Sequence, residues 1–317
     1  MKLIVIAGPT AVGKTGLAIE LAKKLNGEIV SADSMQVYKH MDIGTAKPTR
    51  QEMEGVRHYL VDELEPWEDY SVAIFVRKAK EYIEHIHARG KTVIISGGTG
   101  FYINALIYDN NFMSTNPDVD FRTELVSRHN EVGDLHKILM DVDPVSARRI
   151  HPNNVKRIIR ALEFHKITGR LISDHNDLER ERSSPYDVSF FILNMPREQL
   201  YRRIERRADK MIEDGLVGEV QKLLDMGVSP DSVSMRGLGY KEIVPYIQGR
   251  TSLGEAVELL KRNTRRFAKR QITWFKHQTV KGGQGESKKL ITKTWINVDE
   301  SANMCIINDI ISAIRIT

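Results

Sequence analysis

The chain carries a single cysteine, Cys305, among its 317 residues. One thiol closes no intrachain disulfide and builds no cysteine-cluster zinc site, which fits a reducing cytosol. Long apolar runs are missing too: no stretch approaches the roughly 18 to 20 residues needed to span a bilayer. The N-terminus offers one lysine and about five apolar residues before Gly8-Pro9, too few for a secretory core. Internal repeats are absent, and KGGQGESKK (281–289) is the one low-complexity stretch, read as an exposed flexible loop. Nor do the histidines form a metal constellation, since His85 and His87 stand two apart with no nearby acid to complete a site. The expectation is a cytoplasmic protein with no membrane partner.

What is present organises readily. A chain of this length holds a sizeable core, as one large domain or as a core with an insertion. LIVIAG (3–8) reads as a buried parallel strand and Lys14 to Leu25 as the helix it feeds. EIVSADS follows as a second strand, Ser71 to Arg89 as a helix closed by Gly90, and KTVIISGG as a third strand. Strand, helix, strand, helix, strand predicts an α/β fold with a doubly wound parallel sheet. DVSFFILNM (187–195) and KTWINVD (293–299) are candidates to complete it. Between the third and fourth strands, Asn111 to Pro185 shows helical periodicity and no convincing strand. So long a connection without structure is uncommon, so a helical insertion is predicted at the carboxyl edge of the sheet, where ligands bind. The domain reading is therefore a core of 1–110 and 186–317 with an insertion at 111–185.

The chemistry starts at GPTAVGKT, residues 8–15. Gly8-x4-Gly13-Lys14-Thr15 has the Walker A spacing, in which backbone amides cradle a phosphate, the lysine neutralises it and the hydroxyl can ligate Mg²⁺. Its place after a strand and before a helix is the context that motif requires. The second strand ends in Asp33-Ser34-Met35-Gln36. An acid there serves as a general base or as a water-mediated Mg²⁺ ligand, with a structural helix-capping aspartate as the competing reading. The third strand ends without the Walker B acid of an ordinary ATPase. Gly97, Gly98 and Gly100 stand there instead, expected to let the backbone approach a flat ligand, with Thr99 as a hydroxyl among them.

The formal charge is +5 and the pI about 9.1, a mild sign of a polyanionic partner. Three segments concentrate it. Residues 144–170 hold seven Lys or Arg and one acid; Val155, Ile158, Ile159 and Leu162 share one helical face while Lys156, Arg157 and Arg160 project from the other. Residues 261–277 hold seven basic residues and no acid, with Leu260, Thr264, Phe267, Gln271 and Trp274 opposite Lys261, Arg262, Arg265, Arg266, Lys269 and Arg270. Solvated faces normally mix signs, so two nearly acid-free faces point to a phosphate backbone. In the third segment Arg203 and Arg207 lie four apart and either clamp a leaving phosphate or pair with Glu198, Glu205 or Asp209.

GPTAVGKT, DSMQVY, SGGTGFY, HPNNVKRIIRALE, RGLGYKE and KRNTRRFAKRQITWFK together resemble the tRNA dimethylallyltransferase (tRNA isopentenyltransferase) family, in its order, from residue 4 to about 277. The resemblance implies a P-loop NTPase-like fold and transfer of a dimethylallyl group from dimethylallyl diphosphate to N6 of the adenosine 3′ of a tRNA anticodon. It implies that Gly8, Pro9, Thr10, Ala11, Val12, Gly13, Lys14, Thr15 and Arg207 hold the diphosphate, with Mg²⁺ near Thr15. Asp33 would take the N6 proton, and Ser34, Met35, Gln36 and Thr99 would meet the target base. Lys156, Arg157, Arg160, Arg265 and Arg266 would grip the anticodon arm, in a monomer. Val12 stands where the family commonly has serine, and Phe101 where a leucine is usual. The single cysteine leaves no C-terminal zinc finger, matching the compact bacterial form. Two other readings use the same residues: a small-molecule kinase, with Asp33 activating a hydroxyl, and a nucleotide-gated RNA-binding protein without chemistry. The kinase leaves the basic helices idle.

Overall fold

β1 (Lys2–Ala7) is buried along its length after the first residue, because helices cover both faces of a parallel strand and leave no side for polar alternation. In the computed structural model, which describes residues 1–110, 118–180, 182–277, 291–298 and 303–316, this strand lies inside a six-stranded sheet. The stretch 281–289 lies outside the described residues. After β1 come α1 (Lys14–Lys24), β2 (Gly27–Ser31), β3 (His58–Tyr59), α2 (Val72–Ala88), β4 (Thr92–Gly97) and α3 (Gly100–Ile107). With β5 (Asp187–Asn194) and β6 (Lys293–Asn297) the order is β3-β2-β4-β1-β5-β6, every neighbouring pair parallel. β1 thus has β4 on one side and β5 on the other, and the register sets Ala7 level with both Gly97 and Ile192. The carboxyl ends of β1 and β4 therefore open at one height, with β5 running two residues further, around the point where the winding reverses.

The predicted strands and the helices at Lys14 and Ser71 are all present. Leu17, Ala18, Leu21 and Ala22 bury one face of α1, and Ser71 caps α2 by accepting from the Ile74 amide. β3 has no counterpart in the sequence reading, since two residues carry no periodicity. It is held by Glu28, which is buried and accepts from Tyr59 Oη at 2.8 Å, Lys91 Nζ at 2.7 Å and the Arg89 guanidinium. Burial alone would push this carboxyl up; the three donors hold it down at about 2.

The chain divides into two compact units, one holding Met1–Asp109 and the described residues from Ser184 onward, the other Asn110–Ser183. The second contains α4 (Val119–Glu131), α5 (Leu135–Val142), α6 (Pro144–Arg149), α7 (Val155–Thr168) and α8 (Ile172–Arg180), with no strand among its described residues. It has its own core, including Leu125, Leu135, Leu139, Ile158, Ile159 and Leu162. Asp143 begins α6, accepting from the Ser146 amide at 2.9 Å, and also takes the Ser173 amide at 3.0 Å. Glu163 is fully buried in α7, bound by Arg122 at 2.7 Å, Arg160 at 3.0 Å and the Asp118 amide at 3.0 Å. Its burial opposes ionisation, but these donors win and hold the carboxyl below its ordinary range.

The first unit closes with α9 (Arg197–Glu213), α10 (Leu216–Asp225), α11 (Tyr240–Ile247), α12 (Leu253–His277) and α13 (Asn303–Ile316). α12 buries Ala256, Leu260, Ala268, Gln271 and Phe275, spaced as one helical stripe.

Candidate functional site

The loop between β1 and α1 is shaped by backbone that few residues tolerate. Gly13 lies at φ 99° immediately before α1, and at Gly8 a β-carbon would stand 2.8 Å from the Leu193 carbonyl on β5. The loop must therefore pass close over the sheet before turning into the helix, which aims the first amides of α1 outward. Lys14 is the first helical residue, and its Nζ donates to the Pro9 carbonyl at 2.8 Å, folding the side chain back over the loop. An ammonium has three donors, so two stay available to an anion. Burial lowers the Lys14 pKa to about 8; Asp33 partly offsets this and Arg207 adds to it.

Two cavities meet at this loop, both within the first unit. The first, about 230 Å³, is lined by Gly13, Lys14, Thr15, His58, Arg207 and Gln271, among others. The second, about 260 Å³, is lined in part by Ser34, Met35, Thr99, Arg236, Leu260 and Arg270. Thr10, Asp33, Thr45, Ala46, Arg207 and Phe267 line both. The carboxylate and the guanidinium thus stand where the two chambers adjoin. Asp33 follows the last backbone bond of β2, Ala32 N–H to Ser96 O at 2.8 Å, and its Oδ1 accepts from the Met35 amide at 2.9 Å and the Gln36 amide at 3.4 Å. It therefore closes a turn and caps no helix, the next one beginning only at Val72, and it also faces the cavities. Gln36 lines the first cavity and accepts from Ser31 Oγ at 3.2 Å.

Three sequence expectations change. Gly97, Gly98 and Gly100 admit the protein itself at close quarters, while Gly97 and Gly98 also line the first cavity. A β-carbon would lie 2.3 Å from the Ala32 carbonyl at Gly97, 2.3 Å from Gln271 Nε2 at Gly98 and 2.2 Å from the Trp274 ring at Gly100. Second, the acid-free face of α12 is not uniformly without acids, because α9 supplies them: Arg265 meets Glu205 at 2.6 Å and Lys261 meets Asp209 at 2.7 Å. Glu198, the third acid named beside Arg203 and Arg207, lies 3.8 Å from Arg202. Third, Arg160 does not simply project outward, since it bonds Glu163. Lys156, Arg157, Arg266, Lys269 and Arg270 remain exposed. Ile158, Ile159 and Leu162 are buried as expected.

Gln271 escaped the sequence reading as a site residue. Its Oε1 accepts from the Thr10 amide at 2.9 Å and its Nε2 donates to the Gly98 carbonyl at 2.9 Å. A lone amide on an otherwise apolar helical stripe was the available signal. His58, on the two-residue strand, had none; its Nδ1 lies 2.9 Å from the Val56 carbonyl, and burial lowers its pKa. Among the described residues no three His, Cys, Asp or Glu converge as a metal site, and no helix is long and apolar enough to cross a membrane.

A parallel sheet wound about a glycine-rich loop, with a lysine opening the following helix and cavities at the strand ends, defines an α/β protein of the P-loop NTPase-like fold. The family described as IPP transferase matches residues 36–278. A tRNA dimethylallyltransferase of Lachnoclostridium phytofermentans is 56% identical over 278 residues, covering 87% of this chain and 89% of the relative. The structure of the tRNA isopentenylpyrophosphate transferase from Bacillus halodurans matches with a TM-score of 0.71 at 45% identity, over 98% of this chain and 96% of that one. A eukaryotic dimethylallyltransferase acting on tRNA matches with a TM-score of 0.82 at 32% identity, over 99% of this chain and 80% of its own. The chain belongs to the IPP transferase family, a family of enzymes.

Proposed function

We propose that this protein transfers the dimethylallyl group of dimethylallyl diphosphate to N6 of the adenosine on the 3′ side of a tRNA anticodon, releasing pyrophosphate. The observation that carries the reading is the pair of adjoining cavities with Asp33 and Arg207 on their common boundary, in a chain of this family. The diphosphate belongs in the first chamber, against the loop amides, Lys14, Thr15 and Arg207. The adenine belongs in the second, near Ser34, Met35 and Thr99.

An adenine amine is a poor nucleophile because its lone pair is delocalised into the ring. The new N6–carbon bond forms as the allylic carbon–oxygen bond breaks, and the N6 proton passes to the Asp33 carboxylate. Negative charge grows on the departing diphosphate, where the loop amides, Lys14 and Arg207 stabilise it. Mg²⁺ fits the donor set: a hydroxyl from Thr15 and a carboxylate in reach of water suit an ion that keeps several waters and binds largely through substrate phosphates. When bound it supplies further charge neutralisation to the leaving group.

The target base must leave its stack, at a cost of a few kcal/mol that is lower in a loop than in a duplex. Contacts from Lys156, Arg157 and Arg266 to the anticodon arm offset that cost, with Arg160 and Arg265 contributing after exchange of their present partners. The protein acts as a monomer in the cytoplasm. Mass spectrometry of nucleosides from tRNA treated with protein and dimethylallyl diphosphate, without ATP, tests the reading: dimethylallyladenosine is expected. γ-Phosphate transfer from ATP to a small acceptor, with no modified adenosine, would replace it with the kinase reading.

A further inference from the structure

One buried side chain joins the two halves of the site. Gln271 is 7% exposed, and each end of its amide is engaged: the oxygen with the Thr10 amide of the phosphate loop, the nitrogen with the Gly98 carbonyl one residue before Thr99. Its partners lie 261 and 173 residues away in the chain. No backbone bond between residues 8–13 and Gly98 or Thr99 does the same; Thr99 N–H instead bonds the Ala32 carbonyl at 3.3 Å. The amide also sits on α12, one turn after Phe267, which lines both chambers, and next to exposed Arg270, which lines the second. At Gly98 a side chain would strike Gln271 Nε2, so the sequence keeps this position clear for the amide.

We infer that Gln271 is a positioning residue that fixes the spacing between the diphosphate cradle and the base-facing turn at Thr99, and ties both to α12. The inference rests on the proposed placement of donor and base in the two chambers. An amide is suited to this task because it satisfies one donor and one acceptor at once, and a buried group left with one of them unmet would shift. Loosening it leaves the chemical groups in place and misaligns them, an effect that falls on turnover and on the cradle.

Gln271→Met keeps the buried volume and removes both hydrogen bonds. The expected result is weaker binding of inorganic pyrophosphate, by about five- to tenfold, because the loop at Thr10 is no longer held in place. Prenyl transfer per folded molecule should fall by about tenfold or more, with tRNA affinity within about twofold of the parent. Gly98→Ala should give the same pattern by displacing the amide, and the double variant should be no worse than the poorer single one. Unchanged pyrophosphate affinity in both single variants would overturn the inference, as would losses that multiply in the double variant or that simply track a lowered melting temperature. Pyrophosphate binding is read without tRNA, so failure of the parent protein to prenylate would sink the proposed function while leaving this comparison intact.

Discussion

The lysine that opens α1 should make binding of a diphosphate take up a proton. In the free protein burial brings the Lys14 pKa to about 8, so at about pH 9 roughly nine-tenths of the molecules carry it neutral. Pyrophosphate places negative charge beside it and favours the ammonium, moving the pKa back toward the ordinary value of 10.5. Each binding event at about pH 9 then captures roughly 0.9 of a proton at this site, and close to none at about pH 7, where the ammonium is already formed. Integrated over that interval, the contribution of Lys14 to pyrophosphate affinity falls by about tenfold, or about 1.4 kcal/mol. Isothermal calorimetry in buffers of different ionisation enthalpy measures the uptake directly. Pyrophosphate itself titrates in the same range, so the decisive quantity is the difference between the parent and Lys14→Met. Equal proton uptake by the two proteins would refute the assignment of Lys14 to the anion.

Other perturbations separate the parts of the site. Asp33→Ala should leave tRNA binding near that of the parent and lower prenylation by about 10²-fold or more, read from single-turnover transfer of labelled donor; unchanged turnover would remove Asp33 as the base. Arg266→Glu should weaken tRNA binding and flatten its dependence on salt, by a log-log slope of about 0.7 for each single-strand phosphate no longer neutralised, while donor affinity holds. Arg265→Glu, which also breaks the ion pair with Glu205, should lower stability by no more than about 1 kcal/mol in denaturant titration, because both partners are accessible to water. Glu28→Gln should cost about 3 kcal/mol, since it leaves Arg89 and Lys91 without their buried counter-charge. The native carboxyl of Glu28 titrates at about 2, below its ordinary 4.5, so its stabilising contribution is complete above that ordinary value and is lost as pH falls through about 2. Acid unfolding of Glu28→Gln should lack this part of the slope.

The parallel sheet was legible because apolar runs such as LIVIA and TVIIS need both faces covered, which no other local structure explains as simply. The phosphate loop was legible for a related reason: its geometry is local, and spacing encodes it. What stayed hidden is what the fold brings in from far along the chain. Glu205 and Asp209 lie on α9, more than fifty positions before the cations of α12 they neutralise, so the charge count of α12 alone overstated its free face. The glycines after β4 announced a close approach correctly, but only the packed molecule shows that Ala32, Gln271 and Trp274 are what approaches. Gln271 itself looked like one residue of an apolar stripe, and its meaning depends on two backbone groups that no window of sequence contains.

The place of β1 between β4 and β5 also bears on how the chain is made. During synthesis β4 is available early, whereas β5 begins only at Asp187, after the whole of α4–α8. A strand that ends up central therefore waits with one bare edge on the ribosome, the arrangement most prone to pairing with a neighbouring nascent chain. The helices made in that interval carry a core of their own, so the nascent protein can bury their apolar surface before the phosphate-loop strand is finally enclosed.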